Sequence, residues 1–144
     1  MFAGQTRDEL RGMYFAAWRK FRAGQPLEPL ERQIAAVIAE HPEYHAWLEA
    51  GDSALTAEFA PEGGQMNPFL HLGLHLAVRE QVATDRPAGI AGVHAALAAR
   101  FGDAHGAEHA MLEILGEIVW ESQRAGRAPD EAAYLERLRR LGMR

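Results

Sequence analysis

Six of the seven histidines fall into three pairs, and the two members of each pair are four residues apart. The pairs stand in the segments HPEYH (His41 and His45), HLGLH (His71 and His75) and HGAEH (His105 and His109). Histidines scattered at random along a chain of this length and histidine content would give only about 0.3 such pairs. The repeated spacing therefore indicates a common role for these six side chains.

A spacing of four residues places two side chains on one face of a helix, with their Cβ atoms about 5–6 Å apart. Two imidazoles placed in this way can direct one nitrogen each at the same ion, as helical zinc proteases do. We therefore expect the pairs to bind a divalent transition metal, with zinc or iron as the favoured ion. The alternative is a non-catalytic interaction or structural module, in which the histidines are hydrogen-bonded in the core or act as a pH switch.

A buried divalent ion held by neutral imidazoles favours a carboxylate in its coordination shell or beside it. Glu108 adjoins His109 in the sequence, and Glu113 follows one helical turn later. These two glutamates are the best carboxylate candidates, although a glutamate on a helix surface is usually only solvated. The predicted metal-site residues are His41, His45, His71, His75, His105, His109, Glu108 and Glu113.

The number of histidines leaves three arrangements open, because a tetrahedral zinc site takes four ligands. Two pairs could bind one ion while the third is structural, or all three pairs could share a dinuclear centre. A site with three or four histidines could also keep an open position for water, with Glu108 as the general base of a hydrolytic enzyme. With iron, redox or oxygen chemistry would be available instead.

Other motifs do not narrow the activity further. HGAEH matches the pattern H-x-x-E-H, but peptidases with that pattern need a distant glutamate ligand and a much larger chain. The chain contains neither the Glu-x-x-His motif of ferritin-like proteins nor a lysine-bearing phosphate loop. The absence of cysteine excludes thiolate ligands and disulfides. The substrate, if there is one, stays undetermined.

Charge and hydropathy restrict the partners and the compartment. The formal net charge is −5 and the chain has no basic run, which argues against nucleic acid as a partner. No segment approaches the roughly 20 apolar residues that span a bilayer, and no signal peptide is apparent, so we expect a cytoplasmic protein without a membrane partner.

The elements that position the histidines are predicted to be helices separated by glycine, proline and capping residues. The predicted fold is all-α, a single-domain helical bundle of five or six helices over residues 1–144. Thr6, Asn67 and Asp103 are predicted to cap the helices that follow them. The helix at 68–84 is apolar nearly all round, so we expect it to be buried or to serve a homo-oligomer or partner surface. The predicted helical segments are 6–23, 27–40, 42–50, 68–84, 87–101, 104–125 and 129–141, with a short turn at 55–59.

Four stretches of the sequence resemble domain-of-unknown-function family 1841, a family of small bacterial proteins. They are TRDELRGMYFAAWRK, PLEPLERQIAAVIAEHPEYH, NPFLHLGLHLAVREQVATDRPAGI and HGAEHAMLEILGE. The resemblance covers about residues 5 to 141, and HPEYH and NPFLHLGLH are its most distinctive parts. It implies a single-domain helical protein and carries over no activity, so the functional prediction depends on the histidines alone.

Overall fold

The chain folds into α-helices that belong to two compact units, Met1–Leu72 and Gly73–Arg144. The structure, a computed structural model, describes residues 7–50 and 67–143. Those residues contain no strand, so the predicted all-α class is confirmed. The α-helices are α1 (Arg7–Arg22), α2 (Pro29–Ala39), α3 (His45–Glu49), α4 (Pro68–Thr84), α5 (Ile90–Phe101), α6 (Ala104–Ala125) and α7 (Glu131–Gly142), and a 3-10 helix at Pro42–Tyr44 precedes α3.

The predicted count of five or six helices is too low, because the described residues form seven α-helices. The short segment that begins at Pro42 folds as a 3-10 helix and then as the separate helix α3. Helix α5 begins at Ile90 and not at residue 87, because Gly89 has a φ of 97° that ends the preceding turn. The Asp85 carboxylate accepts hydrogen bonds from the N–H groups of Gly89 (3.1 Å) and Ala91 (2.9 Å), and so caps α5 from outside it.

The predicted cap at Thr6 and the predicted turn at 55–59 lie outside the described residues. The helix start at Asn67 is confirmed, since the Asn67 side chain accepts a hydrogen bond of 2.9 Å from the N–H of Phe69. No helix in the described ranges 7–50 and 67–143 is long and apolar enough to cross a membrane.

In the first unit, α1 and α2 pack together through an apolar face and an ion pair. Ile34, Val37 and Ile38 of α2 are buried, as is Trp18 of α1. Lys20 of α1 donates a hydrogen bond of 2.8 Å to Glu31 of α2. The apolar face therefore fixes α2 in the unit, and with it the segment that carries the first histidine pair.

In the second unit, α5, α6 and α7 pack around a common core. Met111, Leu112 and Leu138 are almost fully buried there, while the hydroxyl of Tyr134 donates a hydrogen bond of 2.8 Å to Gln81 of α4. The Asp103 carboxylate caps α6 as predicted, by accepting a hydrogen bond from the N–H of Gly106. The cap and the core together determine which face of α6 is buried and where its first turn stands.

Two methionines of the second unit provide a matched test of this core. Met111 is 0% exposed and Met143 is 83% exposed. We expect Met111→Ala to lower the free energy of unfolding by about 2–5 kcal/mol, because it leaves a cavity in the core. Met143→Ala should change it by less than about 0.5 kcal/mol. Equilibrium unfolding in denaturant measures both, and equal losses in the two variants would contradict the described core.

Candidate metal centre

His41 stands where α2 ends, and the backbone of α2 determines how its ring is oriented. The ring is 2% exposed, and its Nδ1 lies 2.7 Å from the carbonyl oxygen of Val37. A carbonyl can only accept, so Nδ1 carries the proton and Nε2 presents a lone pair. The ring of Tyr44 stacks nearly parallel to that of His41, at an angle of 5° and a centroid distance of 5.6 Å. The orientation of His41 is therefore fixed before any ligand binds.

His71, in the first turns of α4, directs a nitrogen at the lone pair of His41. The two Nε2 atoms are 3.2 Å apart, and the rings are close to perpendicular at 78°. Because the proton of His41 is on Nδ1, the Nε2–H group of His71 donates this hydrogen bond when no ion is bound. A metal ion that replaces this proton would receive a lone pair from each ring.

His75, one turn further along α4, is fully buried and faces a carboxylate on α6. Its Nδ1 lies 3.2 Å from Oε1 of Glu108. Arg79 contacts the same carboxylate with two groups, since Nε donates to Oε1 at 2.6 Å and Nη2 donates to Oε2 at 3.2 Å. Arg79 is therefore the closer partner of Glu108, and it holds the carboxylate at the Nδ1 side of His75.

Glu108 is ionised despite its burial. Burial raises the pKa of this carboxyl, but the polar contacts with His75 and Arg79 and the positive charge of Arg79 outweigh that effect and lower the pKa to about 2. An ionised carboxylate accepts a hydrogen bond from a nitrogen that carries a proton, so it favours the tautomer of His75 with the proton on Nδ1. Nε2 of His75 is then the nitrogen suited to bind a metal, as in the carboxylate–histidine–zinc arrangement.

His109, next to Glu108 on α6, brings a further imidazole close to His75. The centroids of the two rings are 4.6 Å apart and the rings are almost perpendicular, at 79°. His109 is half-buried. Helix α6 therefore contributes both a nitrogen donor and the carboxylate that contacts the neighbouring donor.

Four of the six paired histidines could hold a metal ion. Within the first unit His41 meets His71, and within the second unit His75 meets His109, so helix α4 carries one residue of each contact. Both members of the pair HLGLH belong to this group, together with one member of each of the other two pairs. We call this group the histidine cluster, and its members are His41, His71, His75 and His109.

The structure places the other four predicted site residues outside the histidine cluster. Nε2 of His45 lies 2.8 Å from the carbonyl oxygen of Ile38, and the ring packs on Trp18. His105 is exposed, with its ring centroid 4.5 Å from that of His109. Glu108 contacts His75 and Arg79, as described above. Glu113 is exposed and lines a surface cavity together with Glu117 and Arg137.

The sequence analysis did not identify Arg79 as part of the site. A signal was present, because Arg79 follows His75 by four residues and is the residue that ends the apolar run of α4. A residue at that spacing shares a helix face with His75. A lone arginine on such a face is also typical of a solvated helix end. The sequence therefore did not show whether Arg79 contacts the site or solvent. The role of the Val37 carbonyl has no sequence signature.

The arrangement is suited to binding a cation and holds few groups for other chemistry. Its donors are neutral imidazole nitrogens, which suit zinc, iron, copper and nickel. The carboxylate of Glu108 is occupied by a bidentate arginine, which makes it a poor general base. The geometry thus favours coordination by nitrogen with a carboxylate behind one ligand.

Comparison with known proteins identifies the family but gives no activity. No match was found among curated proteins or among solved structures. The sequence profile of DUF1841, a domain of unknown function, matches residues 6–140, which is nearly the whole chain. The chain therefore belongs to the DUF1841 family.

Proposed function

We propose that the protein binds one transition-metal ion, zinc or iron, through His41, His71, His75 and His109. The observation that carries this proposal is a group of four histidines that could hold a metal ion, in which His41 and His71 direct their Nε2 atoms at each other. Imidazoles that only fill a core would each turn their nitrogens to separate acceptors. The Nε2 atoms of His41 and His71 instead meet each other, and a metal ion can replace the proton between them.

The separation of the two nitrogens in the first unit supports the proposal. Two nitrogens bound to one tetrahedral zinc ion at about 2.0–2.1 Å are about 3.3 Å apart. The Nε2 atoms of His41 and His71 are 3.2 Å apart. The pair therefore needs little rearrangement to share an ion.

The second nitrogens of two ligands also support the proposal. A histidine that binds a metal usually donates its other N–H group to a carbonyl or a carboxylate, which fixes the ring and raises its basicity. Nδ1 of His41 meets the carbonyl of Val37, and Nδ1 of His75 meets Glu108. Both kinds of outer partner are thus present behind the proposed ligands.

The metal determines what the protein does with the site. Four histidines complete the tetrahedral shell of zinc, which is the composition of a closed, structural site. Iron accepts more ligands, so the same four nitrogens would leave positions open to water or oxygen. We propose the zinc or iron site as the function, with catalysis confined to an ion that keeps an open position. The rival is an interaction module whose histidines only pack, and it predicts no bound metal.

A series of single substitutions tests the ligand set. We expect alanine at any residue of the histidine cluster to weaken zinc binding by at least about 100-fold, more than the loss of an outer-shell partner costs. His45→Ala and His94→Ala are the matched controls, and both should bind zinc within about threefold of wild type. Affinity is measured by competition with a chelator of known strength, after elemental analysis has given the metal content of the untagged protein.

The outcomes of this series separate the two functions. About one ion per chain, lost with each substitution in the histidine cluster and retained in both controls, supports the metal site. Wild-type protein that retains no zinc or iron and shows no thermal shift when either is added would refute it and favour the interaction module. A specific ion should raise the free energy of unfolding by about 2.7 kcal/mol at 100 times its Kd.

Two glutamates of α6 test whether the carboxylate behind His75 matters. Glu108→Gln keeps the size of the side chain but removes the charge that fixes His75, so zinc affinity should fall by about 10- to 100-fold. Glu113→Gln is the matched control on the exposed side of the same helix and should change the affinity by less than about twofold. Loss of affinity in Glu113→Gln alone would mean that the carboxylate role is assigned to the wrong residue.

A further inference from the structure

Three histidine rings of the second unit form a series that runs from solvent to the interior. His105 is exposed, His109 is half-buried and His75 is 0% exposed. The ring centroids are 4.5 Å apart between His105 and His109 and 4.6 Å apart between His109 and His75. The outer and inner rings, His105 and His75, are 6.3 Å apart and nearly parallel. Consecutive rings in this series are therefore close enough to contact one ion in turn.

The first turn of α6, which carries His105 at the outer end of this series, can accommodate a nearby cation. A helix N-terminus carries a partial positive charge that disfavours a cation nearby. The Asp103 carboxylate offsets that charge, since it caps the first turn by accepting a hydrogen bond from the N–H of Gly106. Asp103 and His105 are both exposed, so the cap and the outer imidazole meet solvent together.

We propose that His105 is a loading ligand, through which a divalent transition-metal ion passes between solvent and the histidine cluster. The inference rests on the proposed function, because it requires that the cluster binds an ion. His105 lies outside the cluster, so it contacts the ion in transit and not in the bound state. A hydrated ion must exchange its waters for nitrogens in steps, and an imidazole at the surface lowers the barrier of the first exchange.

A ligand that acts only in transit has a distinctive kinetic signature. It lowers one barrier that the ion crosses in both directions, so it accelerates uptake and release by the same factor. The equilibrium constant is the ratio of the two rates and stays unchanged. A permanent ligand, in contrast, slows release and tightens the equilibrium.

The test compares zinc uptake and release in wild type, His105→Ala and His94→Ala. Zinc ions alone are mixed with metal-free protein in a stopped-flow instrument, and release is followed with a fluorescent zinc chelator in excess. We expect His105→Ala to slow both rates by about tenfold, which corresponds to about 1.4 kcal/mol of barrier, while Kd stays within about threefold. His94→Ala, which removes a half-buried histidine of α5 from the same unit, should leave both rates unchanged.

Each other result overturns the loading role. An increase in Kd of tenfold or more with an unchanged uptake rate would make His105 a permanent ligand. Unchanged rates in His105→Ala would show that ions reach the cluster by another route. Failure of the proposed function is recognised separately, since wild-type protein would then take up no zinc at all, and this inference would fall with it.

Discussion

The candidate centre depends on what the second nitrogen of each buried imidazole contacts. A buried ring with an unsatisfied nitrogen is costly, and a ring that can turn freely does not present a lone pair in a fixed direction. The carbonyl of Val37 contacts Nδ1 of His41 and the carboxylate of Glu108 contacts Nδ1 of His75, so each buried ring has a partner and a fixed orientation. These two contacts occupy Nδ1 of each ring, so they leave Nε2 of His41 and Nε2 of His75 to bind a metal.

The helices supply these contacts in different ways. Helix α2 has no basic residue in its last turn, where a cationic side chain often contacts the final carbonyl groups. The imidazoles of His41 and His45 contact the carbonyls of Val37 and Ile38 there. Helix α6 instead places a glutamate on its buried face, and the contacts of Glu108 with His75 and Arg79 keep it ionised. A neutral acceptor thus orients one ligand, and a charged acceptor orients another and reduces the charge that an ion would bring into the interior.

The glycine, proline and capping residues allowed most of the helices to be predicted, and the histidine pairs allowed part of the centre to be predicted. The spacing of HLGLH and HGAEH, with the capping residues Asn67 and Asp103, correctly placed the two helices that carry these pairs, α4 and α6. The pairs did not reveal which member of each would join the cluster. His41 and His45 share no helix face, because the backbone at His41 (φ −126°, ψ 70°) and the proline after it begin a 3-10 helix. The rings therefore diverge, and His45 reaches the carbonyl of Ile38.

The carboxylates show the same limit of sequence reasoning. Glu108 and Glu113 were equally good candidates by spacing, yet only Glu108 is buried. Which of them faces inward depends on how α6 is rotated in its core of Met111 and Leu112, and that rotation is a tertiary property. Arg79 was missed for a related reason, since its importance arises from the buried charge that it meets and not from its own surroundings in the sequence.

X-ray absorption at the zinc edge of the reconstituted protein tests the central claim most directly, because it counts the ligands and identifies their type. One ion held by the histidine cluster predicts four nitrogen neighbours at about 2.0 Å, with the outer-shell scattering of four imidazoles. A shell with two or more oxygen ligands and fewer than three imidazoles would contradict it.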